Sequence, residues 1–195
     1  MKKQGRSTDQ ALLRTAINKN IQTFSHKRLI KDLQEIQNET IPTVGVVARP
    51  LDHDIFTWHG NILGPKGTLY EGGIFHIELK FPHSYPNHPP TVTLFNPIPH
   101  PNVFGNYICL DMIQAGNGQK EEGKGWSSAY SVQSILTQLQ SFLFEENLDK
   151  DKAKVEMEAK KAVKEANSYK CTTKNCKHGG KLSAWPQFST KEIKD

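Results

Sequence analysis

The sequence predicts an α+β fold in which an antiparallel meander of strands is flanked by helices. Three observations support this fold class. Apolar residues recur at helical spacing through the first 40 residues, four β-rich runs follow, and helical spacing returns after residue 131. Successive strands joined by short turns pair in antiparallel fashion. The length of 195 residues suits one domain with extensions rather than two full domains.

The N-terminal helical region has one apolar stripe over residues 12–24 and a second over residues 29–36. This spacing is compatible with one bent helix or with two helices. Ser25 is a candidate N-cap for a second helix, because its hydroxyl can accept a hydrogen bond from an unpaired backbone N–H. Pro42 predicts the end of the helical region.

The four β-rich runs are residues 43–49, 55–63, 73–81 and 91–95. In the third run, apolar residues at positions 75, 77, 79 and 81 alternate with polar residues at positions 76, 78 and 80. Strict alternation predicts a half-buried strand, with the apolar set facing the core and the polar set on the other face.

Two further helices and a tail are predicted after the strands. Ser131 is expected to cap a core helix that begins at Val132, and residues 149–168 form a weaker helix with a thin apolar stripe. The last 27 residues look irregular. The predicted divisions are a helical extension (1–24), a core domain (25–168) and an irregular basic tail (169–195).

Positive charge is concentrated at both ends of the chain. Residues 1–40 hold eight Lys/Arg against four Asp/Glu, which gives +4, and residues 149–195 hold twelve Lys against seven Asp/Glu, which gives +5. The total of +5 therefore leaves −4 for the middle. The basic ends are either solvated segments or a docking surface for an acidic protein. Because no basic face is interleaved with aromatic residues, nucleic acid is not an expected partner.

Cysteine content and hydropathy indicate the compartment. Three cysteines are too few for a disulfide framework, and an odd number fits a reducing environment. The first ten residues lack the apolar segment of a secretory signal, and no apolar window is long enough for a transmembrane helix. We therefore expect a cytoplasmic or nuclear location and no membrane partner.

Residues 81–110 contain seven prolines and no Asp, Glu, Lys or Arg. Because proline restricts φ, we expect an ordered, irregular segment, which is either a stiff connector or a platform for a functional site. Cys109 lies at its end, with His100 and Asn102 close by in sequence. By residue type alone, Cys109 is either a small buried apolar residue or a nucleophile.

The elements HPN at residues 100–102 and ICLD at residues 108–111 resemble the active-site signature of ubiquitin-conjugating enzymes. The resemblance runs from about Ser25 to about Asp149. It includes the stretches HKRLIKDLQEI, FTWHGNILGPKGTLYEGGIF and YPNHPP, and Trp126 before SVQSIL. It implies a four-stranded antiparallel sheet with helices at both ends and on one face.

The resemblance implies acyl transfer through a thioester, without a cofactor. Cys109 would accept ubiquitin or a ubiquitin-like protein from the activating enzyme and pass it to a lysine amine, usually with a ligase. Asn102 would stabilise the oxyanion or hold its loop. His100 is expected to shape that loop through hydrogen bonds rather than to act as a base. The other site-shaping residues implied are Pro101, Leu110 and Asp111.

A second function class is a non-catalytic, ubiquitin-binding or scaffolding variant of the same fold. Such variants usually lack the cysteine, so the presence of Cys109 together with Asn102 favours the enzyme. The modifier carried, the lysines modified and the ligase served are all left open.

Partner surfaces are also implied by the resemblance. The residues expected to face the activating enzyme are Lys27, Arg28 and Lys31. The residues expected to face a ligase are Tyr85, Pro86, Asn87, Ser127, Ser128 and Ala129. Many members that serve HECT-type ligases have Phe where this chain has Asn87, which favours RING-type ligases. Asp149 is a candidate for orienting the incoming lysine, and an ordinary helix-start acid is the alternative.

Three features depart from the family pattern. Six residues separate Asn102 from Cys109, one fewer than the usual spacing. Residues 114–125 form an insertion, which is either a flexible flap near the thioester or a tolerated surface insertion. In the tail, the possible zinc ligands are Cys171, Cys176 and His178. Because no fourth ligand is obvious, an irregular tail without metal is the favoured interpretation.

Overall fold

The computed structural model of the chain describes residues 23–38, 45–114, 125–145, 152–174 and 176. This part of the chain forms three α-helices and six strands. In order they are α1 (Phe24–Asn38), β1 (Val46–Leu51), β2 (Asp54–Leu63), β3 (Ile74–Lys80), β4 (Thr91–Leu94), β5 (Val103–Phe104), β6 (Tyr107–Ile108), α2 (Val132–Leu143) and α3 (Lys152–Ser168). A 3-10 turn, Asp111–Ile113, follows β6. Within the described residues, no helix combines the length and apolarity needed to cross a bilayer.

All strands belong to one antiparallel sheet in the order β1-β2-β3-β4-β6-β5. The α+β class and the meander of the first four strands are confirmed. The predicted strand count was too low, because β5 and β6 extend the sheet beyond β4. Each of these strands has only two residues, which is too short for a recognisable alternation of apolar and polar residues.

The register of β2 and β3 defines two faces of the sheet. Directly paired residues and residues two positions apart in a strand point to the same side. One face, the core face, carries the buried apolar side chains of Trp58, Ile62, Phe75, Ile77 and Leu79. The other, the opposite face, carries His59, Asn61, His76 and Glu78.

Helices α1 and α2 bury their apolar stripes in the same core. Helix α2 is the predicted core helix, and the side chains of Ile135, Leu136 and Leu139 are fully buried. Each such side chain stabilises the fold by about 1.5–3 kcal/mol relative to exposure. The predicted cap of α2 is confirmed, because Ser131 Oγ accepts a hydrogen bond from the backbone N–H of Ser134.

The cap prediction for Ser25 was wrong. Helix α1 begins at Phe24, and the hydroxyl of Thr23 accepts the backbone N–H of His26 at 3.4 Å. Ser25 instead donates its hydroxyl to the carbonyl oxygen of His83, which links the start of α1 to the proline-rich segment. The predicted N-terminal extension, residues 1–24, lies almost entirely outside the described residues.

The opposite face of the sheet is covered by the residues that follow α3. Residues 169–174 and 176 form no helix or strand, and the ring of Tyr169 stacks on Phe95 at 5.6 Å. Asn167, near the end of α3, accepts the N–H of Ile74 and donates to the carbonyl of Gly72. This packing explains why His76, which the alternation placed on the polar face, is fully buried.

Candidate functional site

Cys109 directly follows β6, and its side chain is partly exposed. Its backbone N–H donates a hydrogen bond of 2.8 Å to the carbonyl oxygen of Asn102. Strands β5 and β6 pair Val103 with Ile108, so this bond lies one position further along the same ladder. The two residues with expected chemical roles are therefore neighbours across one hairpin, although six residues separate them in sequence.

A two-residue turn, Gly105–Asn106, connects β5 to β6. Gly105 adopts a φ of 59°, in the left-handed region that glycine enters without a steric penalty. A Cβ at this position would meet no atom within 4 Å, so the requirement for glycine is conformational rather than spatial. This tight turn closes the hairpin between Asn102 and Cys109.

His100 anchors the start of the hairpin. Its imidazole is buried, and Nδ1 accepts the backbone N–H of Asn102 at 3.1 Å. The ring packs against Phe142 of α2 at a centroid distance of 4.9 Å. The preceding carbonyl, of Pro99, accepts the hydroxyl of Tyr70 at 2.9 Å. Through these contacts, His100 stabilises the loop that carries Asn102.

The remaining predicted site-shaping residues surround Cys109 in sequence and differ in exposure. Pro101 and Asp111 are exposed, and Leu110 is half-buried against the core. The carbonyl of Leu110 accepts the N–H of Ile113, and the carbonyl of Asp111 accepts the N–H of Gln114. The segment after the cysteine is thus a compact 3-10 turn.

The side chain of Asn102 takes no part in holding the loop within the described residues. The loop is held by the main chain of Asn102, through its N–H to His100 and its carbonyl to Cys109. The carboxamide is half-buried, and none of the hydrogen bonds among described residues involves it. The carboxamide is therefore not used by the loop, and its residue lies opposite Cys109 across the hairpin.

The two loops expected to face a ligase lie side by side, but their six residues are not equally accessible. Asn87, Ser128 and Ala129 are exposed and Ser127 is partly exposed. Tyr85 and Pro86 are buried, so their side chains are parts of the loop's packing, and their role toward a ligase stays a prediction. The carbonyl of Pro86 accepts the indole N–H of Trp126 at 2.7 Å, which ties one loop to the other.

The three basic residues of α1 that were expected to face the activating enzyme differ in exposure. Lys27 and Lys31 are exposed, as expected for a docking surface. Arg28 is partly exposed, and its guanidinium is held by other parts of the protein. Its guanidinium donates to Asp32 at 2.9 Å and to the carbonyls of Ser128 and Tyr130, each at 2.6 Å.

Asp32 and Tyr85 complete this anchor. The Asp32 carboxylate is 1% exposed and accepts the hydroxyl of Tyr85 at 2.7 Å. Burial, followed by the neighbouring Asp32 charge, raises the pKa of Tyr85 above its ordinary value. Through Arg28, the network connects α1 to the loop before α2, so it supports the predicted ligase-facing surface from beneath.

Asp149 and most of the 114–125 insertion lie outside the described residues, and so does His178 of the tail. The roles expected for these residues stay predictions.

The sequence that contains this hairpin is similar to a known protein family. Residues 28–177 match the model of the family described as ubiquitin-conjugating enzyme, and this span includes Asn102 and Cys109. The chain belongs to the ubiquitin-conjugating enzyme family. The match covers more than half of the chain and agrees with the antiparallel sheet and helices of the structure.

Two relatives carry the same family name. The ubiquitin-conjugating enzyme E2 1 of Caenorhabditis elegans is 40% identical over 126 residues, which are 64% of this chain and 60% of that protein. The ubiquitin-conjugating enzyme E2 2 of Trichoderma harzianum is 36% identical over 126 residues, which are 64% of this chain and 76% of that protein. The matched residues thus span 60% of the length of the Caenorhabditis elegans protein.

This member of the ubiquitin-conjugating enzyme family also has a group of histidine and cysteine side chains on the opposite face of the sheet. We refer to the group as the His/Cys cluster; its members are His59, His76, Cys171 and Cys176. One ligand atom from each side chain lies within 4.8 Å of all the others. Both histidines are buried, and both cysteines are partly exposed.

The two cysteines were recognised from the sequence as possible zinc ligands, but the two histidines were missed. The expected third ligand, His178, lies outside the described residues. A partial signal for the missed residues is the alternation in the third β-rich run, which placed His76 on the polar face; the observed register puts His59 on the same face. Buried polar side chains on such a face require partners, and the tail provides them.

Proposed function

We propose that this chain is an active ubiquitin-conjugating enzyme that carries ubiquitin or a ubiquitin-like modifier as a thioester on Cys109. The observation that supports the proposal most directly is the hairpin geometry. It presents a partly exposed thiol beside Asn102, whose main chain is fixed and whose carboxamide is not used by the loop.

The proposed first step is transthioesterification. The Cys109 thiolate attacks the carbonyl carbon of the modifier's thioester on the activating enzyme, a new C–S bond forms, and the thiolate of the activating enzyme leaves. In the second step a lysine amine attacks the new thioester. The Cys109 thiolate leaves, the amine loses a proton, and an isopeptide bond remains.

Each attack places negative charge on the former carbonyl oxygen. The Asn102 carboxamide is proposed to donate a hydrogen bond to that oxyanion. One such donor typically contributes about 2.7–4 kcal/mol to barrier lowering. Because the loop is held by main-chain bonds and by His100, the side chain of Asn102 is not required for that support.

The proposed partners follow from the exposed surfaces. Lys27 and Lys31 on α1 are proposed to contact the activating enzyme. Asn87, Ser127, Ser128 and Ala129 are proposed to contact a ligase, of the RING type rather than the HECT type because Asn87 replaces an apolar anchor. Asp149 is proposed to orient the incoming lysine, and the proposed location is the cytoplasm or the nucleus.

A charging assay tests the function. The full-length chain is incubated with ATP and a panel of activating enzymes and modifiers, and products are separated with and without reducing agent. We expect one thiol-sensitive adduct on the wild type, none on Cys109→Ala, and a reductant-resistant oxyester on Cys109→Ser, because an alkoxide leaves less readily than a thiolate. Charging that survives in Cys109→Ala contradicts the site, and a wild type that is never charged supports the non-catalytic alternative.

A further inference from the structure

Three ligand-atom distances in the His/Cys cluster are close to those of a tetrahedral metal site. Cys171 Sγ lies 3.6 Å from His59 Nδ1, and Cys176 Sγ lies 3.5 Å from His76 Nε2. A tetrahedral zinc ion with Zn–N of about 2.0–2.1 Å and Zn–S of about 2.3 Å requires N···S separations of about 3.6 Å. The two imidazole nitrogens are 2.9 Å apart, and the same geometry requires about 3.3 Å. Zinc binding therefore needs only a small outward shift of the two rings.

The outer nitrogens of both rings have acceptors. His76 Nδ1 lies 2.7 Å from Asn61 Oδ1, and His59 Nε2 lies 3.3 Å from the carboxylate of Glu78. Metal-binding histidines usually donate their second N–H to a carbonyl or carboxylate oxygen in this way, which fixes the tautomer and the ring orientation. With protons on these outer nitrogens, His59 Nδ1 and His76 Nε2 direct lone pairs at each other. Two facing lone pairs at this distance are stabilised by a cation between them.

The histidines of the cluster are closely packed, whereas its cysteines are partly exposed. His59 and His76 are fully buried on adjacent paired strands. Phe95 stacks on His76 at 5.2 Å with an interplanar angle of 28°, and Tyr169 packs on the same ring at 5.9 Å. The cysteines approach from the segment after α3. A metal ion can therefore reach the histidines from the side of the tail.

The donor set selects the metal and its role. Two thiolates and two neutral imidazoles in tetrahedral geometry are a ligand set of zinc, and the two thiolate charges neutralise the ion. Four protein ligands leave no position for a substrate or a water molecule, which is typical of structural rather than catalytic sites.

We propose that the His/Cys cluster binds one zinc ion, which fastens the segment after α3 to the opposite face of the sheet. The two thiols lose their protons on binding, and the ion links β2 and β3 to residues more than 90 positions later in the chain. None of the ligands belongs to the Cys109 hairpin, so the inference does not depend on the proposed function. The zinc site extends the anchoring that Asn167 provides at the end of α3.

Metal analysis of the full-length, tag-free protein tests the proposal. The protein is purified with reducing agent and desalted. The amounts of zinc and iron per chain are then measured by inductively coupled plasma mass spectrometry. We expect one zinc per chain in the wild type and in Cys109→Ser, the matched control for loss of a thiol. The Cys171→Ser, Cys176→Ser double variant is expected to retain less than about a tenth of that zinc.

Two further readouts keep the proposal testable if a variant is poorly folded. Cobalt added to metal-free wild type is expected to give the visible bands of tetrahedral cobalt and a thiolate charge-transfer band, which persist in Cys109→Ser. A chelator is expected to lower the melting temperature of these two proteins by about 5 °C or more and to leave that of the double variant unchanged. Wild type that binds no zinc, that holds iron instead, or that has a Cys171–Cys176 disulfide under reducing conditions overturns the proposal. Equal zinc in the double variant also overturns it.

Discussion

The backbone N–H of Cys109 donates a 2.8 Å hydrogen bond to the carbonyl oxygen of Asn102. This bond extends the β5–β6 ladder and fixes the separation between the thiol-bearing residue and the carboxamide-bearing residue. It uses only main-chain atoms, so substitutions of either side chain leave it in place. The chemistry of the two side chains can therefore be tested without dismantling the hairpin.

Replacing Asn102 by alanine is expected to slow transfer to lysine by about 100-fold or more, with a smaller effect on charging of Cys109. The reason is the loss of one donor to the oxyanion while the loop is kept. Single-turnover discharge of preformed thioester to free lysine measures the effect. Asn106→Ala, an exposed amide in the turn of the same hairpin, is the matched control and should discharge at the wild-type rate. Wild-type discharge by Asn102→Ala would exclude the proposed role.

Replacing Gly105 by alanine is expected to destabilise the fold by about 1–2 kcal/mol, because alanine is strained at a φ of 59°. The strain falls on the turn that positions Asn102 and Cys109, so lysine discharge should also slow. Gly67 is a matched control, since it has a φ of 82° and equal open space around a Cβ. Gly67→Ala should lose similar stability in urea unfolding and keep its discharge rate. If the two variants discharge to lysine at equal rates, the Gly105 turn does not contribute to the transfer step.

Arg28 and Lys27 are neighbours with different predicted roles. Arg28→Ala leaves the Asp32 carboxylate, which is 1% exposed, without its cation. We expect a loss of about 3–5 kcal/mol in the free energy of unfolding. Lys27→Ala should change stability by less than about 0.5 kcal/mol but weaken binding to the activating enzyme at low salt. Urea unfolding and charging kinetics at two salt concentrations distinguish them. Comparable stability of the two variants would contradict the anchor.

The raised pKa of Tyr70 predicts that the protein loses stability at high pH. Burial, with a smaller effect of Glu158, raises its pKa from 10.0 to about 12. The unfolded chain therefore releases this proton near pH 10, whereas the folded chain retains it, so the contribution of Tyr70 is complete below pH 10 and is lost as the pH rises toward 12. The free energy of unfolding should fall by up to about 1.4 kcal/mol per pH unit in this window.

Tyr70→Phe is the test of that slope. The variant should be less stable at pH 8 by about 1 kcal/mol, because the hydrogen bond to Pro99 is lost. Between pH 10 and pH 12 its stability should decline less steeply than that of the wild type. If the free energy of unfolding falls equally steeply with pH in the two proteins, groups other than Tyr70 cause the loss of stability at high pH.

The sequence by itself determined the parts of this protein that depend on local pattern. Helical spacing predicted α1 and α2, and Ser131 predicted the start of α2. Alternation and turn residues predicted the four-stranded meander, and the HPN and ICLD elements pointed to the family. These features were readable because each depends on residues within one turn or one strand of each other.

Only the tertiary structure decided features that join distant segments. The strands β5 and β6 exist because they extend the edge of β4, which two residues cannot signal alone. Arg28 was expected to face the activating enzyme, and only the structure shows that loop carbonyls about 100 positions away hold its guanidinium. Likewise, His59 and Cys171 are 112 positions apart and meet only because the segment after α3 covers the opposite face of the sheet. Contacts of this kind arise from packing of whole elements, and local periodicity carries no information about them.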